Sequence, residues 1–254
     1  MFRWLYGLSA SLLLVLPQVR AAESSDPLRS PLWEAMRTRF LGDAPVSFDP
    51  RVTVTMPATA EDSLNVPVHV HVQGLSDIEK VVVFADLNPI PKIIQWVPGD
   101  ALHDAPVDFS FSFKVEQSSP VRAAVFGQGR WHVGGAWVSA AGGGCTAPSQ
   151  GTSLKLWQDR LGELSGRLFA RQSGSRLKLH VIHPMDTGLA AGIPVFHLQS
   201  LALLDEQGTP LAHLHPFEPI SENPVFTVDL PTIGPIQVQG HDTQGNAVAG
   251  WVMP

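Results

Sequence analysis

The sequence predicts an all-β protein made of two β-sandwich modules joined by a glycine-rich arm. Three observations point to this fold class. The 254 residues include 22 Gly and 22 Pro, a frequency that disfavours long helices and suits short strands broken by turns. Apolar residues recur with a period of two over much of the chain. This alternation is interrupted from 134 to 151, where the composition is that of a flexible linker.

The first residues have the features of a secretory signal. Arg3 precedes the apolar run from 8 to 16, and the small residues Ala21 and Ala22 follow it. This run is shorter than the roughly 20 residues that a membrane-spanning helix needs. We therefore predict a signal peptide over 1–22 and a soluble, exported mature chain with no membrane segment. An uncleaved anchor is the alternative.

The charge balance argues against nucleic acid as a partner. Loss of the signal removes Arg3 and Arg20, which lowers the number of basic side chains from 17 to 15 against 23 acidic ones. Nucleic-acid affinity comes mainly from Lys and Arg side chains that neutralise phosphates.

A short helix and two groups of strands account for the rest of the chain. Ser30 and Pro31 predict the start of a helix, Trp33, Met36 and Phe40 share its apolar face, and Gly42 ends it. Apolar patterns predict strands at 52–56, 66–72, 81–85, 109–115 and 121–126, and again at 177–181, 193–195, 201–203, 226–230 and 236–238. Turns are predicted at 127–129, 205–208 and 242–245, and a helical stretch at 154–161. The predicted domains are 26–139 and 164–254, with an arm and linker at 140–163.

The single cysteine is the strongest functional signal. Exported proteins use cysteines in pairs for disulfides, but Cys145 has no partner in this chain. It follows Gly142, Gly143 and Gly144, and no apolar residue flanks it closely. We therefore expect an exposed thiol on a slim, mobile arm.

Such an arm cannot hold a catalytic base and a stabilising group rigidly around the thiol. The sequence also lacks a second cysteine for disulfide exchange or for a cysteine metal cluster. We therefore predict that Cys145 is a covalent carrier site, that the protein is not itself an enzyme, and that it uses no cofactor. A linker that carries the cysteine incidentally is the alternative.

Two histidine pairs support a second hypothesis. His69 and His71 share one strand face, as do His213 and His215, so each pair presents two ligands that could take a metal ion. A non-covalent, metal-handling accessory protein is therefore the alternative function. Neither pair has a third ligand spaced nearby, so we predict solvated strand faces and no metal site. The run from His183 to Gly188 is predicted to be a strand end and turn without a chemical role.

Several motifs resemble a known carrier family. The N-terminal ones are Asn88-Pro89-Ile90-Pro91, the strand 109–115 followed by Gln117-Ser118-Ser119, and the Gly-Gly-Cys that ends at Cys145. Together they resemble SoxY, the sulfur carrier of the periplasmic thiosulfate-oxidising system. The C-terminal ones are His183-Pro184-Met185-Asp186-Thr187-Gly188, Ile193-Pro194 and Asn223-Pro224. They resemble SoxZ, so the chain looks like a fused SoxYZ-like carrier of the type associated with quinoprotein dehydrogenases.

This resemblance implies two immunoglobulin-like sandwiches in a periplasmic protein that holds sulfur or a sulfur-containing intermediate on Cys145. It also implies partners, namely a c-type cytochrome that loads the thiol and hydrolytic or dehydrogenase enzymes that process the cargo, with a quinoprotein dehydrogenase system as a further partner. SoxY chains end on the arm, with two glycines after the cysteine, whereas here Thr146-Ala147-Pro148 follow and the chain continues. An arm held at both ends enters a partner's channel as a loop, which leaves its delivery route and its cargo open.

Overall fold

The computed structural model describes residues 25–149, 157 and 159–254. The chain forms fifteen strands in two sheets with little helix among the described residues, which confirms the predicted all-β, sandwich-like fold. The predicted signal at 1–22 lies outside the described residues. So does most of the predicted helix at 154–161, of which Trp157, Asp159 and Arg160 are helical.

The strands before residue 150 are divided between the two sheets. In chain order the elements there are α1 (Trp33–Leu41), β1 (Val46–Phe48), β2 (Val52–Thr55), β3 (Val66–Val72), β4 (Ile78–Ala85), β5 (Lys92–Pro98), a 3-10 helix (Asp100–Leu102), β6 (Val107–Phe113), β7 (Ser119–Gly127) and β8 (Arg130–Val138). The later elements are β9 (Leu164–Arg171), β10 (Gly174–Val181), β11 (Leu198–Leu204), β12 (Pro210–Pro216), β13 (Val225–Leu230), β14 (Ile236–Asp242) and β15 (Ala247–Val252).

Both sheets contain strands from both halves of the chain. One sheet has the order β1-β8-β7-β4-β5-β12-β11-β14-β15, and the other has the order β2-β3-β6-β13-β10-β9. The halves join where β12 pairs with β5, with Leu214 opposite Trp96, and where β13 pairs with β6, with Thr227 opposite Ser110. The division into separate domains at 26–139 and 164–254 stays a prediction, but in this structure the two halves share their sheets.

The core lies between the two sheets and also crosses the junction of the halves. Phe109, Phe111 and Phe113 of β6 point into it and are almost fully buried, as the period of two predicts. Phe109 stacks on Trp96, with 6.2 Å between the ring centroids. Val228 of the later half belongs to the same hydrophobic cluster. Removal of this apolar surface from water is the main force that holds the halves together.

Most of the predicted elements are present, and one is wrong. The strand predicted at 193–195 is absent, because these residues are irregular and follow a turn in which the N–H of Ile193 donates to the carbonyl oxygen of Ala190 at 3.1 Å. Pro194 has no N–H to give to a ladder, and Gly188 and Gly192 both have a φ of +76° that bends the chain. The turns predicted at 205–208 and 242–245 do connect β11 to β12 and β14 to β15.

Helix α1 packs on the outer face of the nine-stranded sheet. Trp33 and Met36 are buried there in a second hydrophobic cluster that includes Phe84 and Trp131. Gly42, with a φ of +66°, lies directly after the last helical residue, as the sequence predicts.

A buried ion network ties the segment before α1 to the same sheet. The guanidinium of Arg122 on β7 is 1% exposed. Its Nε lies 3.0 Å from each carboxylate oxygen of Asp86, and its Nη atoms donate to Asp26 at 2.9 and 2.7 Å. The ring of Trp33 lies 4.4 Å from the guanidinium carbon. One cation is therefore shared by two carboxylates that have little contact with water.

We expect Arg122→Ala to lower the free energy of unfolding by about 3–5 kcal/mol, because it leaves both carboxylates buried without their partner. Urea titration followed by tryptophan fluorescence measures the change. The matched control is Arg130→Ala, at an exposed position of β8, which should change stability by less than about 0.5 kcal/mol. A similar loss in both variants would contradict a structural role for this network.

Candidate functional site

The thiol of Cys145 is fully buried, which corrects the expectation of an exposed thiol. Its Sγ–H donates to the carbonyl oxygen of Lys114 at 3.3 Å, and the side-chain amide of Asn88 lies 3.6 Å from Sγ. These covering residues are distant from Cys145 in the chain. The residues next to Cys145 in the sequence therefore gave no indication that its thiol is buried.

The glycines before Cys145 form a packed turn in this structure, whereas the sequence suggested a mobile arm. Gly142 and Gly143 have φ values of +105° and +85°, a region that side chains rarely tolerate. A Cβ atom on Gly144 would overlap the backbone oxygens of Ser63 and Val115. The lack of side chains thus allows close packing here, and a role for Gly142, Gly143 and Gly144 as a carrier arm stays a prediction.

The carboxylate of Glu116 holds the turn from one side. One of its oxygens accepts the backbone N–H groups of Cys145 and Thr146 at 2.9 and 3.1 Å, and the hydroxyl of Thr146 donates to the other at 3.2 Å. The backbone N–H of Glu116 donates to the side-chain oxygen of Asn88 at 2.9 Å, which fixes the position of Glu116. We call Glu116 and its contacts with Cys145 and Thr146 the carboxylate clamp.

The loop at 183–188 holds the turn from the other half of the chain. The hydroxyl of Thr187 donates to the carbonyl oxygen of Cys145 at 2.6 Å, and the carboxylate of Asp186 accepts the N–H of Ser149 at 3.3 Å. The carbonyl oxygen of Met185 accepts a hydrogen bond from the Nζ of Lys114. This loop, the arm seat, was predicted to be only a strand end and turn, yet it contacts the cysteine residue directly.

Buried polar contacts give the arm seat its shape. Met185 has a φ of +53°, which is unusual for a residue with a long side chain. Its N–H donates to Nδ1 of the fully buried His183 at 3.1 Å. Burial lowers the pKa of His183 to about 4, although Asp242 opposes the shift from 3.5 Å away. His183 is therefore neutral at pH 7, with Nδ1 free to accept this bond.

The surroundings of the thiol suppress its reactivity. Burial, with a further contribution from the carboxylate of Glu116, raises the pKa of Cys145 to about 12, while the charge of Lys114 acts in the opposite direction. Burial also lowers the pKa of Lys114 to about 8, which the charges of Asp186, Cys145 and Glu222 partly oppose. Since the thiolate is the nucleophile, Cys145 is inert in this conformation at neutral pH.

A cavity of about 250 Å³ lies beside the turn. Its wall includes Ala147, Pro148 and Ser149 of the segment that follows the cysteine, together with Lys114 and residues of the later half. The segment that follows Cys145 therefore borders a space that is larger than the ~30 Å³ that one water molecule takes in the liquid.

The histidine pairs do not meet at a metal centre in the part of the chain that the structure describes. His69 and His71 each lie 3.0 Å from an oxygen of Asp108, which Arg176 also contacts at 3.0 Å. Over the described residues, no three or more His, Cys, Asp or Glu side chains are grouped so that they could hold a metal ion. No helix among them is long and apolar enough to cross a membrane.

The fold and the site together define an all-β sandwich protein in which a lone cysteine ends a clamped glycine turn. Residues 37–145 match the model of the SoxY family, described as the sulfur oxidation protein SoxY. The resemblance drawn from the sequence motifs is thereby confirmed for this part of the chain, which ends at Cys145. The likeness of the later half to SoxZ, the fusion and the association with quinoprotein dehydrogenases stay predictions.

Comparison with solved structures finds the sulfur carrier protein SoxY from Chlorobium limicola f thiosulfatophilum. The two chains are 18% identical, the superposition covers 42% of this chain and 94% of that one, and the TM-score is 0.37. The comparison with curated proteins finds no match.

Sequence reasoning identified Cys145 but missed the residues that control it. Asn88 and the strand that leads to Glu116 lie in motifs that were noticed as family features, without a role for either side chain. Thr187 lies in a run that was assigned no chemistry. A buried lysine such as Lys114 has no local sequence signal, because its burial depends on the later half of the chain.

We expect Glu116→Gln to accelerate alkylation of Cys145 by iodoacetamide at pH 8 about tenfold. The amide weakens hydrogen bonds to a charged acceptor, which are worth about 1.5–3 kcal/mol each, and it removes a negative charge that disfavours the thiolate. A time course of intact mass measures the rate. Glu79→Gln, on an exposed part of β4, is the matched control and should label like the unmodified protein. Equal rates in all three proteins would mean that the clamp does not govern access to the thiol.

Proposed function

We propose that this protein is a periplasmic carrier that holds sulfur or a sulfur-containing intermediate covalently on the thiol of Cys145. The observation that carries the proposal is the SoxY match, which extends over residues 37–145 and so ends on the only cysteine of the chain. This match supports a role in carrying sulfur. In the proposal the chain itself is no catalyst, because partner redox or hydrolytic enzymes act on the cargo.

Attachment of cargo requires an electron acceptor. When Cys145 joins a sulfur compound that bears an S–H group, the new S–S bond forms with loss of two electrons and two protons. A c-type cytochrome is the partner that we propose for this step, as the resemblance to the carrier family implies. Hydrolytic or dehydrogenase partners, including a quinoprotein dehydrogenase system, would then process the bound group.

The conformation described here is the closed state of the proposed carrier. For a partner to reach the thiol, the carboxylate clamp must open and the hydrogen bond from Thr187 to Cys145 must break. The bond from the N–H of Gly144 to the carbonyl oxygen of Val115, at 3.1 Å, must break as well. These few hydrogen bonds each contribute about 0.5–3 kcal/mol, so a docking partner can supply the energy for release.

The released arm extends as a loop, because chain continues on both sides of Cys145. Six residues from Ala140 to Cys145 reach about 20 Å when fully extended at ~3.3 Å each. The cysteine lies at the tip of the loop, and the partner's channel must be wide enough for two strands of chain. We therefore propose partners with an open cleft around the reacting atoms.

We expect the protein isolated from periplasm without reductant to show added mass on Cys145 that matches sulfur, sulfonate or a thiol compound. Addition of a reductant should remove disulfide-linked cargo and restore the unmodified mass. Intact mass measurement followed by peptide mapping locates the group. Cys145→Ser is the matched control, because serine nearly preserves the shape of cysteine and can also donate to the carbonyl oxygen of Lys114.

The variant should fold normally, as measured by urea titration, but show no added mass and fail to support oxidation of the sulfur compound in cells. An unmodified thiol under all growth conditions would overturn the proposal. So would normal sulfur oxidation in cells that carry Cys145→Ser.

A further inference from the structure

A row of directly opposed residues crosses the outer face of the six-stranded sheet, one residue from each strand. The strand registers place them side by side in the order Arg167, Lys178, Thr227, Ser110, His69 and Thr55. They alternate with the core-facing residues of their strands, so all six point away from the core. Each of these side chains can donate a hydrogen bond, and none is a carboxylate. We call this set the donor row.

The donor row begins with a pair of like charges. Lys178 and Arg167 are directly opposite each other on β10 and β9, an arrangement that destabilises a sheet. Among the described residues neither side chain has an ion pair with a carboxylate, and the Nζ of Lys178 has no hydrogen bond. Burial lowers the pKa of His180 on the same face, and the charges of Arg160 and Lys178 lower it further. The stability of the sheet therefore does not account for this positive charge.

The carboxylates that share this face are already bound by other side chains. Asp108 lies 3.0 Å from Nε2 of His69, Nδ1 of His71 and Nη2 of Arg176. The same Nη2 atom of Arg176 donates to Asp229 at 2.7 Å. These contacts use both carboxylates, so the like-charged pair at the start of the donor row keeps no partner.

A groove of about 530 Å³ lies over the donor row, within the ~300–1,000 Å³ that ligand sites usually have. Five residues of the donor row line it, from Lys178 to Thr55, and of the described residues around it none is acidic. Apolar side chains complete the lining, namely those of Met56, Pro57, Pro67, Val68, Phe111 and Val225. Val225 is 38% exposed although it is apolar. The groove thus offers hydrogen-bond donors together with an apolar surface.

We propose that this groove binds a small organic anion with an apolar body. The charged end contacts the Nζ of Lys178 and the hydroxyl groups of Thr227 and Ser110, and the body lies on Val225 and Pro67. Carboxylates and sulfonates with an alkyl chain belong to this class. Cys145 does not line the groove, so the inference does not depend on the proposed carrier function.

The two parts of such a ligand make separate contributions to affinity. Hydrogen bonds between an ammonium group and an anionic oxygen are stronger than those between neutral groups. Transfer of the alkyl chain from water to the apolar side of the groove is favourable in proportion to the area that is covered. An inorganic anion lacks the apolar body and a neutral alcohol lacks the charge, so both should bind more weakly.

An NMR titration of the nitrogen-15-labelled protein with 1-octanesulfonate, kept below the concentration at which it forms micelles, tests the proposal. Methanesulfonate keeps the charge without the chain, and 1-octanol keeps the chain without the charge. We expect 1-octanesulfonate to bind at least about tenfold more tightly than either, because only it uses both parts of the groove. The amide signals that shift should belong to β3, β6, β10 and β13.

Lys178→Gln should weaken the binding of 1-octanesulfonate about tenfold and leave the binding of 1-octanol unchanged. The matched control is Arg130→Gln, which removes one positive charge from an exposed position on the other sheet and should bind like the unmodified protein. Lys178→Gln also removes the repulsion with Arg167, so its melting temperature should not fall. This measurement separates a lost site from a lost fold.

Equal affinity of 1-octanesulfonate for Lys178→Gln and for the unmodified protein would overturn the proposal. Absence of binding would also overturn it, as would 1-octanol or methanesulfonate that binds as tightly as 1-octanesulfonate. Each of these failures would leave the proposed carrier function intact, since that function is judged by the mass of Cys145 in protein from the periplasm.

Discussion

The pairing of β12 with β5 and of β13 with β6 is the constraint on which the site depends. These two ladders fix the register between the halves of the chain. As a result the arm seat of the later half lies against the glycine turn of the earlier half, where Thr187 reaches the carbonyl oxygen of Cys145. The thiol is buried because both halves cover it. Neither half alone contains the full set of contacts that keeps Cys145 inert.

Several strands with one buried face were predictable from the sequence, but β5 and β12 were missed although they also bury alternate residues. In β6 the alternation of phenylalanine with polar residues reports directly on which side meets the core. Strand β9 lies at the edge of its sheet and is largely exposed, so its sequence lacks this period. Strand β8 contains Gly134 because an added Cβ would overlap the backbone oxygen of Val52. Gly134 permits a close approach between strands, but in the sequence it was interpreted as the start of the linker-like segment.

The site was predictable only as far as local patterns extend. The count of cysteines was enough to select Cys145, and the preceding glycines marked an unusual backbone. The contacts that bury the thiol come from Glu116, Thr187 and Asn88, which are 29, 42 and 57 residues away in the chain. The strand order decides which of these residues, far apart in the chain, meet in space. Local sequence patterns do not specify that order. The expectation of an exposed thiol was wrong for this reason.

The covalent continuity of the two halves has a consequence for how the thiol is protected. Since the arm seat and the glycine turn belong to one polypeptide, their association is unimolecular. Protection of Cys145 is therefore independent of how abundant the protein is, and dilution cannot separate the cover from the cysteine. A carrier assembled from two separate chains would lose its cover by subunit dissociation at low concentration. Here each molecule is synthesised with one arm seat and one Cys145, so their ratio is always one to one.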